Sequence, residues 1–218
     1  MNVLVTSGGT IEKIDNVRSI INMSTGKLGS LIADEFLIQG FNVYYICNKQ
    51  AVQPNADIIY IDSVDSLKNA ITDLLKTTEI HIIIHAMAVS DYRLKNPFKG
   101  KLPSDADTIT ITLEKTPKII SIFQELAPHA VLVGFKLLDN VSQEKLIDTG
   151  YNLLKKNKCI YVLANDLKDI DDNKHIGHLI DKDKNYTSYY TKQEIAKAIA
   201  AKTINRRGEL RSPEYEEK

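Results

Sequence analysis

VLVTSGGTIEKIDNVRSIINMSTGKLGSL, residues 3–31, is the stretch whose reading decides the fold. It opens on Val3, Leu4, Val5 and Thr6, a short apolar run of the kind that forms a buried strand. The run breaks at Ser7-Gly8-Gly9-Thr10, and a long polar loop carrying Arg18 and Asn22 leads to a second break at Ser24-Thr25-Gly26-Lys27. Leu28, Leu31, Ile32 and Phe36 then recur at helical spacing. A strand, two small-residue turns and a helix start form a frame for phosphate, because unpaired backbone N–H groups point outward there and the helix N-terminus favours negative charge. Two such turns with one arginine predict two separate phosphorylated groups.

Working outward, the first helix should end near Gly40, a residue suited to a left-handed cap. Strands are expected at 43–47 and 58–61. Ser63 is a fitting N-cap for a helix over 64–76, whose Val64, Leu67, Ile71 and Leu74 share one face. IHIIIH (80–85) is nearly continuous in hydrophobicity, the mark of a strand covered on both faces in a parallel sheet. Residues 86–107, with Pro97, Gly100 and Pro103, read as a long loop, and a structureless loop of that length is usually functional. TITITL (108–113) alternates as a strand, and Pro117 suits the first turn of a helix running to about 126.

A strand over 131–135, a helix over 142–155 and a strand over 160–163 follow, the last ending in Ala164-Asn165-Asp166. Residues 175–180 and 185–190 read as a small hairpin, and 192–205 as a last amphipathic helix. The tail 206–218 has little to bury and is expected to be frayed. The expectation is one α/β domain over 1–205 with a single doubly wound, mainly parallel, Rossmann-like sheet, a flap loop and a small hairpin. In such a sheet ligands bind beyond the carboxyl ends of the strands. That rule gathers residues 7–10, 86–91, 134–136 and 164–166 into one crevice.

Composition bounds the function. Lys+Arg and Asp+Glu are both 28, so no basic excess points to nucleic acid or a membrane surface. No apolar run approaches the roughly 18 residues a membrane span needs, and no signal peptide precedes the first strand. A cytoplasmic location is the expectation. Cys47 and Cys159 sit in apolar runs and read as buried thiols rather than a disulfide framework. His175-x-x-His178 has no third ligand and reads as surface; His81 and His85 belong to a buried strand and read as structural.

Two familiar nucleotide motifs are excluded. Ser7-Gly8-Gly9-Thr10 lacks the G-x-G-x-x-G spacing, and the second strand ends in Cys47-Asn48 rather than an acid for ribose, which argues against a nicotinamide oxidoreductase. Gly26-Lys27 resembles the end of a P-loop, but Ile21 stands where that loop needs its first glycine and Leu28 where it needs Ser or Thr.

In this order, TSGGTIEKIDNVRSIINMSTGKLG, AMAVSDYR, the lysine of GKLPS, KTPKI, GFK and ANDL resemble the phosphopantothenate–cysteine ligase family, in its stand-alone bacterial form. The resemblance spans nearly the whole chain. It implies a ligase of coenzyme A synthesis that activates the carboxylate of 4′-phosphopantothenate with a nucleoside triphosphate, releases pyrophosphate, and passes the acyl group to the amine of L-cysteine. Gly134-Phe135 continues as Lys136-Leu137-Leu138 rather than the Ala-Ala-Glu common in fused bacterial enzymes, and the eukaryotic form shares a Phe-Lys-Leu run, so this segment leaves CTP and ATP both open. The resemblance to the stand-alone bacterial form implies CTP, with ATP the alternative. Magnesium is implied with the triphosphate, with no protein metal ligands, and a homodimer is implied as the assembly.

The resemblance also implies roles. Asn22 would contact the acyl carbonyl of the intermediate, and Lys101, the flap lysine, would neutralise the charge of the two anions. Arg18 reads either as an anion clamp or as the partner of Asp15 in a surface pair. Ser24, Thr25, Gly26 and Lys27 would bind the substrate phosphate. Ser7, Gly8, Gly9, Thr10, Ala88, Asp91, Phe135, Lys136 and Asn165 would line the nucleotide site, although Asp91 could instead cap its own loop. A nucleotide- or flavin-binding module without ligase activity is the other reading; a passive binder has no need of the lysine-bearing flap.

Overall fold

In the computed structural model the described residues are 1–171 and 174–209. The apolar runs become strands of one eight-stranded sheet: β1 Asn2–Thr6, β4 Asn42–Cys47, β5 Asp57–Tyr60, β6 Ile82–His85, β9 Val131–Leu138, β10 Tyr161–Asp166, β11 Gly177–Ile180 and β12 Tyr186–Tyr189. Their order across the sheet is β12-β11-β10-β9-β6-β1-β4-β5. The six strands from β10 to β5 in that order run parallel. β11 and β12 close one edge antiparallel. The chain starts at β1, steps outward through β4 and β5, then returns to β6 on the other side. The sheet therefore reverses direction between β1 and β6, which is where a doubly wound fold opens its ligand crevice.

Alternation along the strands supplies both faces. Val3, Val5, Tyr45, Ile84, Val133 and Leu163 pack against α1 (Lys27–Ile38) and α5 (Lys192–Glu209) through Ile32, Phe36, Ile195 and Ile199. Leu4, Ile46, Ile83, Leu132 and Val162 face α2 (Val64–Thr77), α3 (Ile119–Leu126) and α4 (Gln143–Asn157). A fully buried aliphatic side chain stabilises by roughly 1.5–3 kcal/mol. Sheet assembly, more than local propensity, therefore fixes strands this short. Ser63 and Ser142 cap α2 and α4 by accepting from Ser66 N and Lys145 N. Cys47 and Cys159 are buried free thiols, and His81 and His85 are buried in or beside β6.

Several local expectations change. The polar loop before Asn22 contains an antiparallel pair, β2 Ile11–Lys13 with β3 Ser19–Ile21. The expected loop 86–107 includes β7 Tyr92–Leu94, which pairs with β8 Leu113–Lys115. TITITL (108–113) is therefore not a strand over its length. Ile109 and Ile111 stay exposed because no sheet face lies beneath them to reward the alternation. Pro117 precedes the helix instead of entering its first turn: Thr116 N donates to Asp91 O (3.0 Å) and Lys118 is extended at the N-cap.

The 175–190 hairpin is no surface appendage. β11 pairs with β10, so His175 and His178, expected at the surface, are each only 8% exposed. His178 stacks edge-on against Tyr186 and bonds Ser188 Oγ at 2.8 Å. The tail expected from 206 is helical as far as Glu209, and 210–218 lies outside the described residues. Among the described residues no helix is long and apolar enough to cross a membrane.

Candidate functional site

Just past β1 and β6 the backbone continues to pair. Gly9 and Ala88 form a parallel bridge, with Ala88 N donating to Gly8 O (2.8 Å) and Thr10 N to Ala88 O (3.2 Å). The Thr10 hydroxyl accepts from Ser90 N (2.9 Å) and donates to Ser90 Oγ (3.0 Å). Asn48, at the end of β4, donates from Nδ2 to Gly9 O at 2.6 Å, while its Oδ1 accepts from the N–H groups of Gln50 and Ala51. Asn48 is a site residue that the sequence reading does not pick out; its signal is a polar residue directly after an apolar strand on the same edge of the sheet.

Asn22 stands over this bridge. Its Nδ2 donates to Ala88 O at 3.2 Å, and its carbonyl lies so close to Gly9 that a Cβ there would come within 2.5 Å of the oxygen. Gly26 then starts α1 at φ 74°, a left-handed conformation that a side chain would strain, and no side chain caps the helix. The Ser7 hydroxyl donates to Gly26 O (3.1 Å), which ties the first glycine turn to the helix start. Ser24, Thr25 and Lys27 flank that start, and Lys27 is exposed. A cavity of about 180 Å³ opens between the two turns, lined among others by Gly9, Thr10, Asn22, Ser24, Thr25 and Asn48.

Lys101 lies on the flap, against the turn of the β2–β3 hairpin. It is exposed and sits between two tethered residues: Asn16 N donates to Gly100 O (3.0 Å) and Leu102 N donates to Asp15 Oδ2 (3.0 Å). Arg18 Nη2 donates to Leu102 O at 2.8 Å and Nε lies 3.6 Å from Asp15 Oδ2. The Arg18–Asp15 pair exists, yet it is not a surface pair, because the Asp15 side chain is wholly buried. The backbone N–H of Leu102, then those of Val17 and Arg18 with the Arg18 charge, hold the Asp15 carboxyl below the usual range against the opposing effect of burial.

Asp91 is exposed and forms an ion pair with Lys118 from the start of α3. KTPKI marks this segment in the sequence without giving Lys118 a part to play. At the ends of β9 and β10, Phe135 packs on the α1–α5 face, and strand alternation puts Lys136 on the other. Asn165 is buried, with Nδ2 2.8 Å from His175 Nε2 and 3.4 Å from Ile176 O. Burial, then the charge of Lys192, pushes the His175 imidazole down to about 4, so it is neutral at pH 7. Burial would raise the Asp166 carboxyl, but donors including Val141 N and Asn140 N outweigh it and hold it at about 2, pinning the β9 and β10 ends together.

Residues 7–10, 22, 24–27 and 88 thus form one constellation, Arg18 and Lys101 a second joined to it through the β2–β3 pair, and Asp91 with Lys118 a third on the β6 side. Among the described residues no three His, Cys, Asp or Glu side chains gather to hold a metal ion.

Residues 1–206 match the family described as DNA/pantothenate metabolism flavoprotein C-terminal domain. The chain belongs to that family. Within it, the coenzyme A biosynthesis bifunctional protein CoaBC of Thermococcus kodakarensis is 35% identical over 199 residues, covering 90% of this chain and 49% of the relative. The chain thus spans about half the length of the curated relatives it matches first. Among solved structures, the DNA/pantothenate metabolism flavoprotein from Streptococcus pneumoniae aligns with a TM-score of 0.86 at 34% identity, covering 94% of this chain and 99% of that one. The C-terminal domain of a CoaBC protein aligns at 0.76 with 25% identity, covering 95% of each chain.

Proposed function

We propose that the chain is a ligase of coenzyme A biosynthesis that joins 4′-phosphopantothenate to L-cysteine through an acyl-nucleotide, releasing pyrophosphate. Family membership supports the reading, as does the likeness to bifunctional proteins of coenzyme A biosynthesis. The observation that carries it is the seat of Asn22: a neutral amide set between two phosphate-friendly turns, at the sheet's reversal, on the chain leaving the hairpin whose turn tethers the lysine-bearing flap.

Two anions must meet before any bond forms, and their repulsion is the first barrier. In the proposed reaction, the Gly8-Gly9 turn faces the triphosphate while the α1 start, with Ser24, Thr25 and Lys27, takes the substrate phosphate. Binding each at a fixed place turns an encounter between like charges into a reaction between held groups. Lys101 offsets the charge that builds as the carboxylate oxygen attacks the α-phosphorus and pyrophosphate leaves. Asn22 donates to the acyl carbonyl, where a neutral amide keeps its proton at any working pH. The amine of cysteine then displaces the nucleotide.

The donors at this edge are hydroxyls, amides and backbone N–H groups, and Asp91 is already paired with Lys118. Among the described residues none here would hold magnesium; accompanying the triphosphate, it would supply charge screening of the phosphates. CTP is the proposed nucleotide over ATP, from the resemblance to the stand-alone bacterial form of the ligase. A cytoplasmic homodimer completes the proposal; Met23, 97% exposed on the β3–α1 connection, with Val17 and Ile21 on the hairpin, is apolar surface a second copy would cover.

The test is purified protein with 4′-phosphopantothenate, cysteine, magnesium and CTP or ATP in turn. Pyrophosphate release that requires phosphopantothenate and is clearly faster with CTP is expected. Release with neither nucleotide would leave a binding module instead, and a yellow protein would point to flavin.

A further inference from the structure

We propose that Asp15 is a positioning residue: its buried carboxylate joins the β2–β3 hairpin to the flap and so sets where Lys101 stands. The inference rests on the ligase reading of Lys101 given under the proposed function.

The two carboxylate oxygens divide the work. Oδ1 accepts from Val17 N (2.7 Å) and Arg18 N (2.6 Å), a local turn that a Ser or Asn side chain also makes. Oδ2 accepts from Leu102 N, 87 positions along the chain. A turn alone does not need that second acceptor. Around it run Asn16 N to Gly100 O, Arg18 Nη2 to Leu102 O, and Phe98 N to Ile14 O at 2.9 Å. Gly100 and Leu102 are thereby fixed on either side of Lys101, whose own side chain is left exposed. From 96 to 111 the chain has no helix or strand, so these rungs hold a segment that regular structure does not.

The burial of Asp15 makes the link selective. A carboxylate taken out of water is costly unless hydrogen-bonded on both oxygens. Here three backbone donors and the guanidinium of Arg18 meet it, and two of those partners, Leu102 and Arg18, also bond to each other. The Asp15 carboxylate therefore bonds both the turn of the hairpin leading into Asn22 and, with the neighbouring rungs, the flap that carries Lys101.

The experiment uses the full chain and the variants Asp15→Asn, Lys101→Ala and the double variant. An amide has one acceptor oxygen, so Asp15→Asn keeps the turn or the flap but not both. Amide hydrogen exchange at Leu102 should quicken by roughly tenfold or more, with core amides such as Leu132 unmoved. The turnover number for pyrophosphate release should fall roughly 10- to 100-fold, with KM for the triphosphate little changed. The double variant should be no slower than Lys101→Ala beyond about twofold, since Asp15 acts through that lysine.

Independent, multiplying losses in the double variant, or unchanged exchange at Leu102, would overturn the proposal. Asp15→Ser, which keeps the turn acceptor and lacks the flap arm, gives the same test should Asp15→Asn fold poorly. Wild-type protein that releases no pyrophosphate would overturn the ligase reading and the role of Lys101 with it. Exchange at Leu102, read without substrate, distinguishes that failure from a failure of the tether.

Discussion

Gly9→Ala is the sharpest perturbation of the proposed site, because it adds one methyl where the backbone of Asn22 already touches. The new Cβ would lie 2.5 Å from Asn22 O, and ordinary van der Waals contact begins at 3.4 Å. The two segments must part by roughly 0.9 Å, and neither side of the contact is a flexible side-chain end. Gly9 is held by Asn48 Nδ2 and by the bridge to Ala88, so much of the displacement falls on Asn22 and its bond to Ala88 O. Overpacking of this kind costs about 1–3 kcal/mol, which at this chain length lowers Tm by roughly 2–12 °C. A misplacement near 1 Å costs about 100-fold in rate. The assay is pyrophosphate release per folded molecule beside a thermal melt. Leu67→Ala is the contrast: it removes a fully buried side chain on α2, should cost about 2–5 kcal/mol, and should leave the rate of the folded fraction unchanged. Wild-type turnover from Gly9→Ala would refute the claim that this contact sets the site.

Asn22→Asp replaces a donor with a charge at an exposed position; pyrophosphate release should drop roughly 100-fold or more while Tm stays within about 2 °C, and normal rates would remove the role given to Asn22. Burial pushes the His85 imidazole down from 6.5 to about 4, so the unfolded chain takes up this proton first. The stability it contributes is complete above pH 6.5 and is lost as pH falls toward 4, on the order of 3 kcal/mol. His175 shifts the same way. Urea midpoints at pH 7.5 and 4.5 should therefore diverge less in His85→Gln than in wild type, and equal divergence would contradict the assignment. Burial pushes Cys47 up to about 11 and Cys159 up to about 12; a thiol reagent at pH 8 should find both silent in the native protein and both reactive in denaturant.

The parts of this fold legible in the sequence are those where burial acts on both faces of a strand. IHIIIH and the run at residues 3–6 announce central parallel strands, and Gly26 marks the start of α1 because the backbone there needs φ 74°. The carboxyl-edge rule alone then places residues 7–10 and 88 at one crevice, and the fold sets Asn22 over their bridge. Legibility fails where a partner decides. TITITL has the period of a strand, but its apolar side chains meet no opposing layer. His175 and His178 look like surface residues until β11 joins β10, a pairing fixed by the sheet edge and not by their own neighbours. Asn165 follows them, because the imidazole claims its amide. Lys118 and Asp91 are 27 positions apart, and only the return of the chain from β8 into α3 makes them partners.

The most direct test of the proposed chemistry follows one oxygen atom. Phosphopantothenate labelled with heavy oxygen in its carboxylate is turned over with cysteine and CTP, and the products are weighed by mass spectrometry. Activation through an acyl-nucleotide predicts one labelled oxygen in the phosphate of the released CMP and none in pyrophosphate. Label in inorganic phosphate, or product formed with unlabelled CMP, would contradict it.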